Sequence, residues 1–306
     1  MTTRKNRTES WVIEGRKLLL HHLDKVYWPR EEVAGEVLPA WTKGDMCRYY
    51  REVGPYLLPY LAGRPVTFRV FPEGIHGFNY YRRSLPDKAP PWIQWTPYEA
   101  ETKKRTLQLP LLQDLPSLLW FADKAAIELH SWSAKLPDLE RPDLAIFDLD
   151  IGKGMPPRRV QEAALHLRDL LLEEGKLGYP KTSGGDGMHV FVPLEKGQSF
   201  AQVREWAKGI GETLARRHPD LMTSAKGKTH TGERVTVDYA QNSKGRNTAA
   251  PYTLRARPGA PVSMPLSWEE VERGGFGPRD FNISNVPERL KKRGDPWKEL
   301  LGTALR

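Results

Sequence analysis

The chain has 306 residues with 47 Lys+Arg against 38 Asp+Glu, a net charge of +9, and it is 28% charged and 39% hydrophobic. That balance excludes a disordered tail and a membrane-embedded chain, and the length leaves ample surface to bury in a core. One cysteine, Cys47, excludes a disulfide framework and a cysteine-rich zinc site. The polar start MTTRKNRTES has no apolar signal core, and the most apolar stretch, 107–121, is broken by Pro110, Asp114 and Pro116. A cytoplasmic chain with no membrane contact is therefore expected.

No 20–50-residue period repeats and no low-complexity linker divides the sequence. Thr42 to Leu61 reads as a helix, with Thr42 as N-cap, Asp45 in its first turn and Gly63 as a stop. Val66–Val70 reads as a strand that runs into the turn Pro72-Glu73-Gly74. Leu144–Asp150 (LAIFDLD) is the clearest strand, and 157–174 carries Val160, Ala163, Ala164, Leu167, Leu170 and Leu171 at helical spacing. Met188–Leu194 then reads as a strand, Phe200–Arg217 as a helix, Arg234–Tyr239 as a strand and Pro296–Leu305 as a short basic helix. Helices and strands mixed in this way predict layered α/β or α+β packing around one core.

Basic charge is concentrated in two places. Residues 226–257 hold seven basic side chains and two acids, and residues 64–105 hold eight and four, interleaved with aromatic rings. Basic charge mixed with rings suits a polyanion whose bases can stack, although a solvated surface over an aromatic core has the same composition.

Asp148 and Asp150 stand two apart on one strand, so both carboxylates leave the same face, while Ala145, Phe147 and Leu149 leave the other. Two adjacent carboxylates repel unless a cation lies between them, and hard oxygen ligands favour magnesium or manganese over zinc. An exposed strand end with two acids is the alternative. In RVTVDY, Asp238 shares a face with Thr236 and ends an apolar strand inside a basic segment. It is either a third ligand of a two-metal clamp or the partner of Arg255 or Lys244. Between these acids, KTSGGDGMH (181–189) offers glycine amides, Ser183 and His189 to an anion, but it is neither a P-loop nor a dinucleotide fingerprint. Arg255 and Arg257 share a face if their segment is extended, a placement suited to a triphosphate.

DLAIFDLDIG, SGGDGMH, VDYAQN and PYTLRARPGAPVSMPLSW, in this order, resemble the polymerase domain of bacterial ligase-D end-joining proteins, of the archaeo-eukaryotic primase superfamily. LDKVYWP, AGRPVTFRVFPEG, YYRRSLPDKAPPW and AIELHSW upstream are similar to the same family, so the resemblance runs from about residue 12 to about 275. It implies an α+β primase-like fold, two β-sheets flanked by helices around a central cleft. The implied organisation is a flexible tail over 1–11, a catalytic domain over 12–290 and a basic tail over 291–306. The implied activity is template-directed addition of nucleotides, with ribonucleotides favoured, to DNA 3′ ends at gaps and breaks.

In this resemblance Asp148, Asp150 and Asp238 are catalytic ligands of two Mn2+ or Mg2+ ions. His130, Ser183, His189, Gln241 and Arg255 hold the NTP or dNTP. Lys25 and Lys43 grip a 5′-phosphate, and Arg69, Tyr80 and Tyr81 meet the DNA. The expected partners are gapped or broken DNA, a Ku-like end binder and a separate ligase, with the protein near the nucleoid. No KxDG ligase motif is present in the sequence, so either a stand-alone polymerase or one excised from a larger ligase is expected. Three positions depart from the family pattern: Asp186 stands where lysine is common, His22 where asparagine is, and Thr231 where a basic residue is expected. Two alternatives are a haloacid-dehalogenase-type phosphatase, whose nucleophile strand AIFDLDIG mimics, and a non-catalytic single-strand-binding module.

Overall fold

The computed structural model describes residues 6–100, 105–152, 154–225 and 233–303. The chain divides into two compact units that interleave in sequence: Met1–Ser131 with Tyr252–Val262 and Phe281–Lys292, and Trp132–Pro251 with Ser263–Asp280 and Arg293–Arg306.

The first unit opens with an antiparallel hairpin, β1 (Glu9–Ile13) and β2 (Arg16–Leu20). This strand begins inside the segment expected to be flexible. Its partner β2 buries Leu18 and Leu20, and Arg51 lies over the Trp11 ring at 4.6 Å, so the hairpin is tied down. Next come β3 (Val26–Trp28), the hairpin of β4 (Glu31–Val33) and β5 (Glu36–Leu38), and β6 (Trp41–Thr42), which pairs with β3. Helix α1 (Lys43–Leu61) starts as the sequence indicates, with Thr42 and Asp45 forming a reciprocal capping box. It continues through Pro55 and Pro59 because Val53, Leu57, Tyr60 and Leu61 are buried along it.

β7 (Val66–Val70) and β8 (Tyr80–Arg82) follow, then the hairpin of β9 (Trp95–Ala100) and β10 (Arg105–Pro110). The interrupted apolar run then becomes α2 (Leu115–Asp123), with Asp114 as its N-cap and Pro116 in its first turn. The residues that break the run are thus the start signals of a helix. Gly54 lets α1 approach α2, because a Cβ there would stand 2.6 Å from Leu115 Cδ1. β11 (Ala126–Trp132) pairs antiparallel with β7, and β7 with β8; Phe68 of β7 stacks on Phe121 at 3.9 Å.

The second unit is a five-stranded sheet in the order β13-β14-β12-β16-β15. Its strands are β12 (Leu144–Asp150), β13 (Tyr179–Thr182), β14 (Met188–Pro193), β15 (Met222–Ala225) and β16 (Val235–Asp238). All pairings are antiparallel except β15 with β16. Helices α3 (Pro157–Glu173) and α4 (Phe200–Arg217) bury their apolar stripes against one face, where Trp206 meets Phe147 edge-on at 5.5 Å. A short 3-10 turn, Tyr239–Asn242, follows β16, and then come β17 (Asn247–Ala249) and α5 (Trp268–Arg273).

Helices α6 (Val286–Arg293) and α7 (Lys298–Thr303) end the described chain. The expected basic tail is anchored rather than loose: Trp297 is fully buried, packs on Phe191 at 5.3 Å and donates its indole N–H to Pro180 O. Among the described residues no helix is long and apolar enough to cross a membrane.

Candidate functional site

In the second unit, strand register builds the site. Lys181 lies opposite His189, His189 opposite Asp148, and Asp148 opposite Asp238. Directly opposed residues share a face, so one row of four ionisable side chains crosses β13, β14, β12 and β16. Asp150, two residues along β12 and opposite Thr236, leaves that same face, while Ala145, Phe147 and Leu149 are fully buried on the helix-covered side. His189 Nε2 stands 3.3 Å from Asp148 Oδ1, and Lys181 Nζ stands 2.9 Å from His189 Nδ1. Asp238 also caps the turn after β16, accepting from Ala240 N–H at 2.9 Å.

Asn242 locks that turn to β12. Its amide donates to Ile146 O and accepts from Ile146 N–H, both at 2.8 Å, so a side chain imitates a strand neighbour. Sequence reading passed over Asn242, whose place depends on a partner 96 residues away. Gln241 has its amide tied to Asn247 O at 2.9 Å and to the Thr248 hydroxyl.

The glycine loop turns at Gly184 (φ +69), and the Ser183 hydroxyl accepts from Gly185 N–H at 3.1 Å. Gly187 is required by close approach: a Cβ there would lie 2.4 Å from Leu149 O and 3.6 Å from Asp150 Oδ1. The loop therefore rests on the end of β12 beside the carboxylates. Asp186 at its tip is exposed, and Thr231 lies outside the described residues.

Among the described residues, no three His, Cys, Asp or Glu side chains form a cluster ready to hold a metal ion. Asp148, Asp150 and Asp238 share a face without closing around a point. The donor set nevertheless fits a hard cation: carboxylate oxygens only, with Asp148 and Asp238 as like charges directly opposite each other, a pairing that costs energy until a cation relieves it.

A second cluster lies in the first unit around Glu128, which the sequence reading did not single out. Glu128 is 1% exposed; its carboxylate meets His130 Nε2 at 2.9 Å and Arg255 Nε at 3.3 Å, and accepts from Ala256 N–H at 3.0 Å. Burial alone would raise its pKa, but the charge of Arg255, the His130 contact and the Ala256 N–H hold it well below the usual carboxylate range. The signal was present in E-L-H on a strand, which puts Glu128 and His130 on one face.

Glu128 lies opposite Arg69, and Arg69 opposite Tyr81, whose ring is 6.0 Å from His130 and 5.6 Å from the Arg69 guanidinium. Thus His130, Arg255, Arg69 and Tyr81 are gathered by one acid that sequence reasoning missed. Arg255 and Arg257 do not share a strand face as expected. Arg255 N–H bonds Pro261 O, and the chain then turns, with Ala260 N–H bonding Arg257 O.

Tyr80 and Tyr81, both expected to meet the DNA, are neighbours on β8. Adjacent strand residues point to opposite sides. Tyr80 stacks with Phe78 at 5.7 Å and carries Arg82 at 5.4 Å, whereas Tyr81 joins the Arg69 and His130 cluster.

The two lysines expected at a 5′-phosphate differ sharply. Lys25 is partly exposed and pairs with Glu73 at 2.7 Å. Lys43 is 3% exposed, and its ammonium donates to Asp123 Oδ1 at 2.7 Å and to His21 O at 2.6 Å. Burial would raise the Asp123 pKa, but the Lys43 hydrogen bond and charge lower it to about 2. His22 adopts φ +55 beside this group, in the left-handed region.

Residues 42–297 match the family described as "LigD, primase-polymerase domain". The chain belongs to this family. It is 34% identical over 268 residues to the multifunctional non-homologous end joining protein LigD of Pseudomonas aeruginosa, covering 87% of this chain and 31% of that protein. It is 31% identical over 294 residues to the Mycobacterium tuberculosis LigD, covering 93% and 37%. The chain thus spans about a third of the length of these curated relatives. The polymerase domain of M. tuberculosis ligase D, solved in complex with DNA, matches with a TM-score of 0.80 at 29% identity, covering 92% of this chain and 97% of that one. The expected α+β fold is the LigD polymerase fold, and the enzyme is a nucleotidyltransferase of the LigD primase-polymerase class. This assignment displaces the phosphatase and the non-catalytic binding module.

Proposed function

We propose that this enzyme adds nucleotides, ribonucleotides by preference, to DNA 3′ ends at gaps and double-strand breaks during non-homologous end joining. The observation that carries the reading is the opposition of Asp148 and Asp238 across β12 and β16, with Asp150 on the same face. Residues 12–290 act as one catalytic domain in this reading, and the curated relatives' names support a place in end joining.

Asp148, Asp150 and Asp238 would hold two Mn2+ or Mg2+ ions. Such ions supply charge neutralisation at the triphosphate and an acidified 3′-hydroxyl when bound. His189 presents a ring N–H beside Asp148, and Ser183 and the glycine amides line an anion-binding loop. Arg255, held by Glu128, brings fixed positive charge to the phosphates, with His130 alongside and Gln241 bracing the loop after β16. Arg69, Tyr80 and Tyr81 contact DNA, the two tyrosines on different strands or different bases because they point apart. Lys25 reaches a 5′-phosphate, while Lys43 supports that region from beneath. A Ku-like end binder, a ligase and association with the nucleoid complete the proposal.

Primer extension on a gapped duplex tests it. Asp148→Asn, Asp150→Asn and Asp238→Asn should each lower extension by three orders of magnitude or more, on the order of 4 kcal/mol of barrier, with duplex binding largely kept. Near-normal extension by any one of them removes that residue from the site.

A further inference from the structure

Lys181 has no part in the family pattern described above, yet among the described residues it is the most deeply placed charge of the second unit. It is 0% exposed. A lysine ammonium buried to this degree is costly unless its hydrogen bonds are satisfied. Its ammonium reaches His189 Nδ1 at 2.9 Å and the Ser263 hydroxyl, and lies 5.4 Å from the centre of the Phe191 ring.

The donor and acceptor roles along this chain of contacts follow from the charge on Lys181. An ammonium only donates. Ser263 Oγ–H donates to Thr182 O at 2.8 Å, so the hydroxyl oxygen is left to accept from Lys181. His189 Nδ1 must likewise accept, which leaves the ring proton of the neutral imidazole on Nε2. That nitrogen stands 3.3 Å from Asp148 Oδ1, so the ring N–H lies on the carboxylate's side. The reverse tautomer would set a ring N–H against the ammonium and a bare lone pair against a carboxylate. Register reinforces the arrangement, since Lys181, His189 and Asp148 occupy one transverse row of the sheet.

We propose that Lys181 is a positioning residue that fixes the orientation and tautomer of His189, so that an Nε2–H donor always faces Asp148 and whatever anion binds beside it. Its effect on catalysis rests on the proposed nucleotide role of His189; its effect on the ring does not. A hydrogen bond held on one ring nitrogen of a histidine is a general means of fixing which nitrogen donates.

The test is nitrogen NMR of the full chain labelled in histidine, recorded without metal, nucleotide or DNA, with His189→Gln used to assign the ring signals. The wild type should show a proton on Nε2 and a bare Nδ1. Lys181→Met, which keeps the length and removes the donor, should give a mixture of tautomers, and Lys181→Gln, which restores an N–H donor, should recover the wild-type pattern. If Lys181→Met does not fold, Ser263→Ala, which loosens the ammonium, should broaden the His189 signals alone. A wild-type ring protonated on Nδ1 or on both nitrogens overturns the proposal, as does an unchanged tautomer in a folded Lys181→Met. In extension assays Lys181→Met should raise the nucleotide KM about tenfold and add nothing in a His189→Ala background. An altered tautomer with unchanged nucleotide kinetics would keep Lys181 as the positioning residue and overturn the nucleotide role of His189.

Discussion

Replacing Lys43 with methionine should destabilise the protein, not merely weaken its hold on a DNA end. The ammonium lies 2.7 Å from Asp123 Oδ1 with both side chains under 5% exposed, so the variant leaves a buried carboxylate with only Lys124 Nζ at 3.0 Å and the His21 contacts to balance it. Breaking a buried pair so that one charge is left uncompensated costs roughly 3–5 kcal/mol, and the partners that Asp123 keeps bring the loss below that range. The Asp123 pKa sets a ceiling on the Lys43 share: a fall from 3.8 to about 2, produced by Lys43, the His21 N–H and Lys124 together, corresponds to about 2.5 kcal/mol of folding free energy. Because that pKa is lowered, the stabilisation is present above pH ~4 and is lost as the pH falls towards 2. Urea unfolding at pH 7 and pH 3 measures both. Lys43→Met should lower the pH 7 midpoint clearly and shrink the difference between the two pH values. Lys25→Ala, which breaks a pair whose Glu73 is 67% exposed, should move the midpoint little and instead reduce any preference for 5′-phosphorylated gaps. Equal midpoints for wild type and Lys43→Met would refute the reasoning, and Lys43 would then be free to turn outward to a phosphate.

Glu128→Gln should lose stability chiefly above pH ~4.5, since a carboxylate held below its usual range stabilises only while ionised, and it should raise the nucleotide KM by loosening Arg255; acid titration of unfolding and steady-state kinetics check the two effects. Gly187→Ala should reduce extension at least as severely as Ser183→Ala, because its Cβ would press on Leu149 O while the serine change removes one hydroxyl. Trp297→Ala should cost about 3–5 kcal/mol by thermal unfolding, although the residue lies in a segment that reads as a tail.

Local signals were legible in the sequence wherever one element carried its own instructions. The Thr42–Asp45 capping box, the alternation of Leu144–Asp150 and the stripe from Val160 to Leu171 all gave the elements that formed. What the sequence could not supply was register between distant strands. Asp148 and Asp238 are 90 residues apart, and only the pairing of β12 with β16 sets them opposite each other. Burial of charge was equally hidden: Lys43 and Lys181 look like surface lysines until their partners Asp123 and His189 are placed. The divergence of Tyr80 and Tyr81 was available from the two-residue period of a strand.

The chain passes between its units after Ser131, Pro251, Val262, Asp280 and Lys292, and this threading gives the protein a schedule. Glu128 and Arg255 belong to one unit but are separated by 127 residues, which a ribosome takes roughly 6–25 s to add. A mixed domain of this kind folds within about a second, so the strand bearing Glu128 must wait, its carboxylate awaiting a guanidinium not yet made. During that interval the nascent first unit lacks the arginine that balances its most deeply buried acid. Neither unit can be excised with a single cut, exchanged as a module or finished early, and the group proposed to meet the triphosphate arrives long after the strand that holds its partner.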